Sequence, residues 1–243
     1  EALLARGDRV VALVRDPAAA SLPPAVEVRR WAAGDPAAPL DGADAVVNLA
    51  GAPIAPRRWT AGRRAEITAS RLAGTRSVVA GMAHAGSVRV LVSASAVEYS
   101  GERGEAGFDE TTPGGTGFLP ELTGAWEREA EQAQALGARV VLLRKGVVLS
   151  PNGGMLATLL PFFRRGLGVT LGSGRQWLPW LHIADDIGLM LLALDHADVR
   201  GPLVCAAPHP VRFQDFARTL GQVLRCPARL RAPTWVLRLA LGE

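Results

Sequence analysis

Ala85-Gly-Ser-Val-Arg-Val-Leu-Val-Ser-Ala-Ser95 is the stretch that decides the fold. Helical apolar spacing runs over Arg63–Ala85, Gly86 stops it, and a short β-branched run at Val88–Ser93 follows at once. Short apolar runs of this kind are typical of strands that are buried on both faces of a parallel sheet. The stretch therefore predicts a helix that passes directly into a buried parallel strand.

The same alternation extends to both sides of this stretch. Further predicted elements are strands at Arg9–Val14, Val26–Trp31, Ala45–Leu49 and Arg139–Leu143, and a helix at Glu121–Leu136 that Gly137 ends. Repeated βα units of this length predict an α/β fold with a Rossmann-type doubly wound parallel sheet. The sequence becomes irregular after Leu149, so we expect the sheet domain in residues 1–150 and mainly a small C-terminal lobe in residues 151–243.

Composition excludes several classes of protein. A chain of 243 residues with 49% hydrophobic content can bury a large core, and no apolar run reaches the length of a membrane span. A secretory signal is not recognisable at the start. Cys205 and Cys226 have no zinc-site or redox spacing, which favours a reducing compartment and a cytoplasmic location.

The positive charge does not indicate nucleic-acid binding. The net charge is +4, but arginines are scattered among acidic residues and Lys145 is the only lysine. A nucleic-acid interface normally shows a basic tract or a stripe on one face, and neither pattern is present.

The block from Gly172 to Asp186 is a candidate substrate site. Gly172 and Gly174 permit a sharp turn that presents Arg175, Gln176 and Trp177 beside one another. An indole face and a guanidinium suit an anionic or sugar-like small molecule. Trp177 and Trp180 could equally anchor the helix that the apolar spacing predicts from about Ala184.

His182, Asp185 and Asp186 end the same block. Histidine and aspartate side chains can bind metals, but no further His or Cys stands at ligand spacing. Asp is also a residue that is favoured at helix starts. We therefore expect no metal and a helix start at this point.

Polar residues follow three of the predicted strands, at Arg15-Asp16, at Asn48-Leu-Ala-Gly51 and at Ser93–Tyr99. Each group could be a solvated turn or a locally satisfied strand end. Ligands of doubly wound sheets bind beyond the carboxyl ends of the strands, so the three groups are expected to meet in one crevice.

The chain resembles the extended short-chain dehydrogenase/reductases, in the atypical branch of NAD-dependent epimerase/dehydratase-like proteins. The stretches that carry the resemblance are Val46-Val-Asn-Leu-Ala-Gly51, Arg71-Leu-Ala-Gly-Thr-Arg76, Ser93-Ala-Ser-Ala-Val97, Gly117-Phe-Leu-Pro-Glu121 with Trp126-Glu127, Arg144 with Gly146-Val-Val-Leu149, Gly153-Gly154, and Leu171 to Asp186. They cover nearly the whole chain.

The resemblance implies that residues 1–150 bind a nicotinamide dinucleotide and that the lobe closes over a small substrate. Arg15 is placed to meet the 2′-phosphate of NADP, although NAD remains possible because Asp16 follows it. Asn48, Ala50, Gly51 and Ser93 match cofactor-lining positions. Ser95 and Tyr99 match the catalytic side of the crevice, with Arg175, Gln176, Trp177 and His182 on the substrate side.

Two departures from the family pattern affect this interpretation. The glycine-rich phosphate loop is missing before Arg9, so we expect the first strand and its loop to lie upstream in a longer protein, and Leu241–Glu243 to fall within a helix. The usual Tyr-x-x-x-Lys dyad is also missing, because Leu119 and Thr123 stand near its place.

Two functional hypotheses follow. In the first, the protein is an NADP-binding oxidoreductase or epimerase-like enzyme whose proton donor is Tyr99, Ser95, Glu98 or His182. Lys145 could approach the crevice or only cap its strand. In the second, it is a non-catalytic dinucleotide-binding module that acts through a protein partner. The expected oligomeric state is a monomer or homodimer.

Overall fold

The structure is a computed structural model that describes residues 1–54, 58–226 and 230–232. The helices are α1 (Ala2–Ala5), α2 (Ala61–Ala85), α3 (Phe118–Glu131), α4 (Gly154–Arg164), α5 (Ile183–Asp195) and α6 (Phe213–Val223). The strands are β1 (Val11–Val14), β2 (Glu27–Arg30), β3 (Ala45–Asn48), β4 (Val90–Ala96), β5 (Arg139–Lys145), β6 (Val147–Leu149), β7 (Val169–Leu171), β8 (Trp177–Leu178), β9 (Trp180–His182), β10 (Gly201–Cys205), β11 (Val211–Arg212) and β12 (Leu230–Ala232).

A four-stranded parallel sheet forms the centre of the molecule, in the order β10-β5-β4-β3. Consecutive residues of its strands belong to opposite cores, since Leu91 packs with α2 and α3 while Val92 packs with α5. In β5, Val140 likewise belongs to the core with α2 and α3, and Val141 belongs to the core with α5. Strand side chains alternate between faces, so helices on both sides explain why these strands are apolar throughout. The predicted doubly wound α/β fold is confirmed.

The predicted elements form with shifted ends. β4 starts two residues later than predicted but continues to Ala96, because its last residues pair with Arg144 and Lys145 of β5. α2 begins after its N-cap Thr60 and ends at Gly86, which is left-handed as expected. The helix predicted at Glu121–Leu136 was wrong in its bounds, since α3 starts at Phe118 and its last turn tightens into a 3-10 helix at Gln132–Leu136.

β1 and β2 form a separate parallel pair. Within the described residues, β1 pairs only with β2 and β3 pairs only with β4, so one edge of each has no ladder partner. Leu13 of β1 nevertheless packs against the core that α2 and α3 share with the central sheet. The pair is therefore joined to the main sheet by side-chain packing.

A third core lies in the predicted lobe. It is built from Leu159, Phe163, Leu178, Phe213 and Ala217, which come from α4, β8 and α6. Between β8 and α6 the chain leaves this region once, because α5 covers the central sheet and the next strand, β10, pairs with β5. The lobe boundary at residue 150 stays a prediction, and its end at residues 233–243, including the helix expected at Leu241–Glu243, lies outside the described residues.

Among the helices of the described chain, none combines the length and the apolar character that a membrane span requires.

The segment around Ala38 crosses α2 so closely at Gly81 that a side chain at this position should destabilise the fold. A Cβ at Gly81 would lie 2.2 Å from the Ala38 carbonyl oxygen, so Gly81→Ala forces the backbone apart. We expect a loss of about 1–3 kcal/mol in the free energy of unfolding, measured by urea denaturation of the full-length protein. Gly188→Ala in α5 is the control, because its Cβ meets nothing within 4 Å, and it should be neutral or stabilise by up to about 1 kcal/mol. Equal effects of the two substitutions would contradict this close approach.

Candidate functional site

The carboxyl ends of the central strands bring together residues that are distant in sequence. Asn48 lies opposite Ser93 in the ladder, Ser95 lies opposite Arg144, and Lys145 lies opposite both Ala96 and Cys205. Parallel strands end at the same edge of a sheet, which is where α/β proteins bind ligands. The strand ends after β3 and β4, which the sequence singled out, therefore do meet.

Asn48 links the end of β3 to α2. Its side-chain amide donates to Thr75 Oγ1 (3.1 Å), and its Oδ1 accepts from the backbone N–H of Ala50 (3.2 Å). Thr75 Oγ1 also accepts from the indole of Trp126 in α3 (2.9 Å). Asn48 is buried, whereas Gly51 further along the loop is exposed. The side chain of Asn48 thus shapes the loop, and the loop backbone is the part that a ligand can reach.

Ser93 and Ser95 have different surroundings. Ser93 is fully buried and its hydroxyl only approaches the Ala94 carbonyl at 3.5 Å. The Ser95 hydroxyl donates to Glu127 Oε1 at 2.5 Å. Because the proton of Ser95 is held by a carboxylate, the lone pairs of its oxygen remain to accept a hydrogen bond.

A buried ion pair holds that carboxylate. Arg144 Nε and Nη2 donate to the two oxygens of Glu127, each at 2.9 Å, and the side chains are only 5% and 6% exposed. Burial opposes the charge on Arg144, but the bonds and attraction to Glu127 outweigh it and hold the guanidinium pKa above its usual value. Bidentate pairing of this kind fixes the orientation of both side chains.

Tyr99 is attached to the same pair. It lies in a 3-10 turn at Val97–Ser100 after β4, and the Arg144 guanidinium carbon is 3.6 Å from the centre of its ring. Contact between a guanidinium and an aromatic face is electrostatically attractive. Ser95, Glu127, Arg144 and Tyr99 therefore form one connected cluster, which we call the strand-end cluster.

Two other candidate donors have their own settings. Glu98 retains exposed surface, yet loss of solvation within the surrounding protein raises the pKa of its carboxyl. Lys145 Nζ lies 3.0 Å from both carboxylate oxygens of Asp186 in α5. The lysine thus joins the end of β5 to the first turn of α5. There the negative charge of Asp186 also interacts favourably with the positive end of the helix dipole.

The block at Gly172–Asp186 presents three side chains as expected. Gly172 and Gly174 are left-handed, and Arg175, Gln176 and Trp177 are exposed. Arg212 stacks on Trp177 at 3.7 Å from the ring centre and also donates to the Arg175 carbonyl. Trp177 is 42% exposed, so it is not a core anchor, whereas Trp180 is partly buried in the lobe core.

An ion pair connects this surface with the region after β4. Arg212 pairs with Glu105, which lies in the loop that follows the Val97–Ser100 turn. His182 is exposed and caps α5, where its Nδ1 accepts from the Ala184 N–H at 3.2 Å. The described residues contain no cluster of His, Cys, Asp and Glu that could hold a metal ion.

Arg15 stands at the carboxyl end of β1. It is exposed, and no hydrogen bond or ion pair occupies its guanidinium within the part of the chain that the structure describes. Asp16 is occupied differently, since its carboxylate accepts from the Ala18 N–H at 3.0 Å as the cap of a short 3-10 turn. Arg15 is therefore free to meet an anion at this strand end.

No pattern in the sequence assigned a role to Glu127 or Arg144, although both stand in the stretches that carry the resemblance. The sequence signal that could have identified them is a charged residue at a position where the pattern expects an apolar one. Arg144 follows four consecutive apolar residues of β5, and Glu127 shares a helical face with Thr123 and Ala130. Ionised residues at such positions are seldom buried unless they are paired.

Known proteins resemble this chain along most of its length. The family model described as "NAD dependent epimerase/dehydratase family" matches residues 1–205. Epimerase family protein Mb2239 of Mycobacterium bovis is 42% identical over 209 residues, which cover 86% of this chain and 69% of that protein. The chloroplastic SDR39U1 homolog of Arabidopsis thaliana is 41% identical over 207 residues, which cover 84% of this chain and 59% of that protein.

A solved structure shows the same fold over the whole chain. Human epimerase family protein SDR39U1, crystallised with NADPH, superposes with a TM-score of 0.88 at 32% identity. The match covers 100% of this chain and 80% of the human one.

In the strand-end cluster, replacing the Glu127 carboxylate by an uncharged amide should lower the stability of the fold strongly. Glu127→Gln removes the anion while leaving Arg144 buried, so we expect a loss of about 3–5 kcal/mol in the free energy of unfolding, measured by urea denaturation of the full-length protein. Glu129→Gln is the control, because its partner Arg76 is 61% exposed, so solvent screens this pair and its loss should lower the free energy of unfolding far less. Similar losses in the two variants would contradict a structural role for the buried pair.

Proposed function

Because the chain belongs to the NAD dependent epimerase/dehydratase family, we propose that it is an NADP-binding oxidoreductase or epimerase-like enzyme that acts on a small molecule. The observation that carries the proposal is the strand-end cluster, which gathers polar and charged groups at the ligand-binding edge of an otherwise apolar sheet. The two cysteines of the sequence, Cys205 and Cys226, have no zinc-site or redox spacing, and this favours the cytoplasm as its location.

The cofactor proposal rests on Arg15 and on the loop after β3. Arg15 offers an unoccupied guanidinium at a strand end, which fits a ribose 2′-phosphate. Gly51 is exposed, so the backbone of its loop is open to a nucleotide. The human relative crystallised with NADPH supports the same cofactor. When bound, a nicotinamide supplies or accepts the hydride, and the protein orients the substrate and moves a proton.

Proton transfer in this proposal uses Ser95 and Tyr99. The oxygen of Ser95 can accept a hydrogen bond from a substrate hydroxyl, since its own proton is donated to Glu127. Tyr99 is the proposed general acid or base, because a phenol can exchange a proton and Arg144 puts a positive charge against its ring. This pair would stand in for the dyad, whose usual place has Leu119 and Thr123.

The substrate is proposed to contact the platform of Arg175, Gln176 and Trp177. Arg212 holds the Trp177 ring and pairs with Glu105, which supports a position of this platform beside the region that follows β4. An indole face next to an arginine is suited to a sugar-like or anionic molecule. His182 is proposed as a further substrate contact through Nε2, since its side chain is exposed and its Nδ1 is used as a helix cap.

A second candidate is a non-catalytic dinucleotide-binding module that acts through a protein partner. The observation that favours it is the completeness of the strand-end cluster, in which Ser95, Glu127 and Arg144 satisfy one another. The missing dyad favours it as well. The two candidates share the cofactor and differ in turnover.

Cofactor preference is the first expected outcome to test. Arg15→Ala should weaken NADPH binding by about 10- to 100-fold, because a hydrogen bond to a charged phosphate contributes about 1.5–3 kcal/mol. NADH binding should not change. Quenching of tryptophan fluorescence in the full-length protein gives both dissociation constants.

Arg9→Ala is the matched control for Arg15→Ala. Arg9 is also an exposed arginine beside β1, but it precedes the strand and so lies at the opposite end. It should leave both affinities unchanged. An unchanged NADPH affinity in Arg15→Ala would reject its role, and failure of the wild-type protein to bind either cofactor would reject the proposed function.

Turnover separates the two candidates. The full-length protein with NADPH is screened against carbonyl compounds by the loss of nicotinamide absorbance. For any compound that reacts, Tyr99→Phe should lower kcat by about 100-fold or more while NADPH still binds, because general acid–base catalysis contributes about that factor. An epimerase-like reaction regenerates its cofactor, so each compound is also analysed for conversion to a product. Cofactor binding with neither loss of NADPH nor conversion of any compound would favour the non-catalytic module. A fully active Tyr99→Phe would remove the proton-transfer role from Tyr99.

A further inference from the structure

The loop between β4 and α3 closes on itself. The Gly115 N–H donates to the Tyr99 carbonyl at 2.8 Å, and a Cβ at Gly115 would lie only 2.7 Å from the Gly101 Cα. Arg103 bridges the two sides of the loop, since its Nη2 donates to the Pro113 carbonyl at 2.7 Å. A long surface loop with such a neck is an Ω-loop, and loops of this class are frequently functional. We call the segment from Gly101 to Gly115 the Ω-loop.

The second half of the Ω-loop is fixed to the body of the protein. Asp109 Oδ1 accepts from the N–H of Thr111 (3.0 Å) and from its hydroxyl (2.7 Å), which closes a local turn. The Glu110 carbonyl accepts from Arg144 Nη1 at 3.1 Å, and the Glu110 carboxylate accepts from the Val204 N–H at 2.8 Å. This half can therefore move only if bonds to β5 and β10 are broken.

The segment Gly104–Gly107, in the first half, is held by a single side chain. All four residues are exposed. Within the described chain, their hydrogen bonds and ion pairs are one local bond, from the Ala106 N–H to the Arg103 carbonyl (3.0 Å), and the pair of Glu105 with Arg212. The pair with Arg212 is thus the interaction that ties this segment to the rest of the molecule.

Glycines stand at both ends of the segment. Gly104 is left-handed with a φ of +60°, and a Cβ at Gly104 or at Gly107 would meet nothing within 4 Å. Backbone angles can therefore change at either glycine without a steric obstacle, which is what a hinge requires. The segment between them can swing while the second half of the Ω-loop stays in place.

A cavity lies beside the segment. Its volume is about 460 Å³, and Ala106 lines it together with residues of the neck and of the start of α3, among them Ser100 and Thr116. Ser100 follows Tyr99, is only 2% exposed, and has a buried hydroxyl without a hydrogen-bond partner in the described residues. An unpaired buried hydroxyl is costly, so a polar group bound in this cavity would be favoured.

The neighbouring residue of the segment reaches the substrate platform. Glu105 pairs with Arg212, and Arg212 covers one face of the Trp177 ring at 3.7 Å from its centre. Arg212 also stands opposite Trp177 in the ladder of β11 and β8. Adjacent residues of one short segment therefore contact the cavity after Tyr99 and the platform of the lobe.

The ion pair that holds the segment is weak by its exposure. The Glu105 side chain is 77% exposed and that of Arg212 is 24% exposed. Water and salt screen charges at such positions, so the pair opens readily. Covers of binding sites are formed by weakly held segments of this kind, because they must open for ligands to enter and leave.

We propose that Gly104–Gly107 is a flap over the site, which the pairing of Glu105 with Arg212 closes and which opens at its two glycines to expose the cavity and the Trp177 ring. That the enclosed molecule is the substrate rests on the proposed function, whereas the movement of the flap does not. Because an exposed ion pair controls the movement, charge removal at either partner and high salt should both open the flap.

Acrylamide quenching of Trp177 in the full-length protein tests the flap without any ligand. The signal of Trp177 is the difference between each protein and the same protein carrying Trp177→Phe. Glu105→Gln removes the ion pair without altering a residue that touches the ring, so Trp177 should become more accessible to acrylamide. Glu102→Gln is the matched control, because Glu102 is an exposed glutamate of the same loop with no ion pair in the described residues. It should leave the quenching unchanged.

Glutamyl endopeptidase gives a second readout. Cleavage after Glu105 needs its side chain released from Arg212, whereas cleavage after Glu102 does not. Arg212→Gln should raise the rate at Glu105 relative to Glu102 by about 2- to 5-fold, the range that exposed ion pairs support, as measured by mass spectrometry. Arg218→Gln is the control on α6, because Arg218 pairs with Asp215 of the same helix, and it should not change the ratio. About 1 M salt should raise the ratio in the wild type.

Two results would overturn the flap. One is equal quenching of Trp177 in the wild type and in Glu105→Gln, which would mean that the segment does not cover the ring. The other is a cleavage ratio that neither Arg212→Gln nor salt alters. Neither measurement uses a cofactor. Failure to bind NADPH would therefore reject the proposed function and leave the flap, while a static loop in a protein that binds NADPH would reject the flap alone.

Discussion

The ion pair between Arg144 and Glu127 is the interaction on which the arrangement of the strand ends depends. It joins β5 to α3 across the core, receives the hydroxyl of Ser95 from β4, and supports the ring of Tyr99. Arg144 also donates to the Glu110 carbonyl, and the Glu110 side chain accepts from the Val204 N–H of β10. Three adjacent strands of the sheet, β4, β5 and β10, are thus linked through three charged residues, Glu127, Arg144 and Glu110. Buried charges are costly unless they are matched, so each of these groups fixes the positions of the others.

The last two residues of β5 serve opposite faces of the sheet. Neighbouring strand residues point in opposite directions, and accordingly Arg144 pairs with Glu127 of α3 while Lys145 pairs with Asp186 of α5. The same strand therefore attaches a helix on each side at the level where a ligand would bind. Lys145, the only lysine of the sequence, has a structural partner in Asp186. Its presence at the end of β5 is therefore explained without the lysine role of the Tyr-x-x-x-Lys dyad. Ser95 and Tyr99, which are proposed for proton transfer, are held by Glu127 and Arg144 on the side of the sheet that α3 covers.

Part of the candidate site could be predicted from the sequence. The strand ends that carry Asn48, Ser95 and Tyr99 were singled out because ligands of doubly wound sheets bind there, and the resemblance to a known family then implied the roles of these three residues. The turn at Gly172 and Gly174, and the presentation of Arg175, Gln176 and Trp177, followed from the conformational freedom of glycine. Glu127 and Arg144 were given no role, because a charged residue in an amphipathic helix or strand shows its partner only when the elements are packed together. The pairing of Arg212 with Glu105 joins positions that no local pattern connects.

The sequence by itself determined the alternation of strands and helices, and with it the doubly wound sheet whose strands are apolar on both faces. Local spacing suffices for this, since periodicity and glycine stops depend on near neighbours in the chain. Only the tertiary structure decided which charges meet. It put Ser95 on Glu127, turned Arg144 and Lys145 to opposite helices, and paired Glu105 of the Ω-loop with Arg212. Those outcomes depend on the register between strands and on the packing of helices across them, which act over separations that a local sequence pattern does not record.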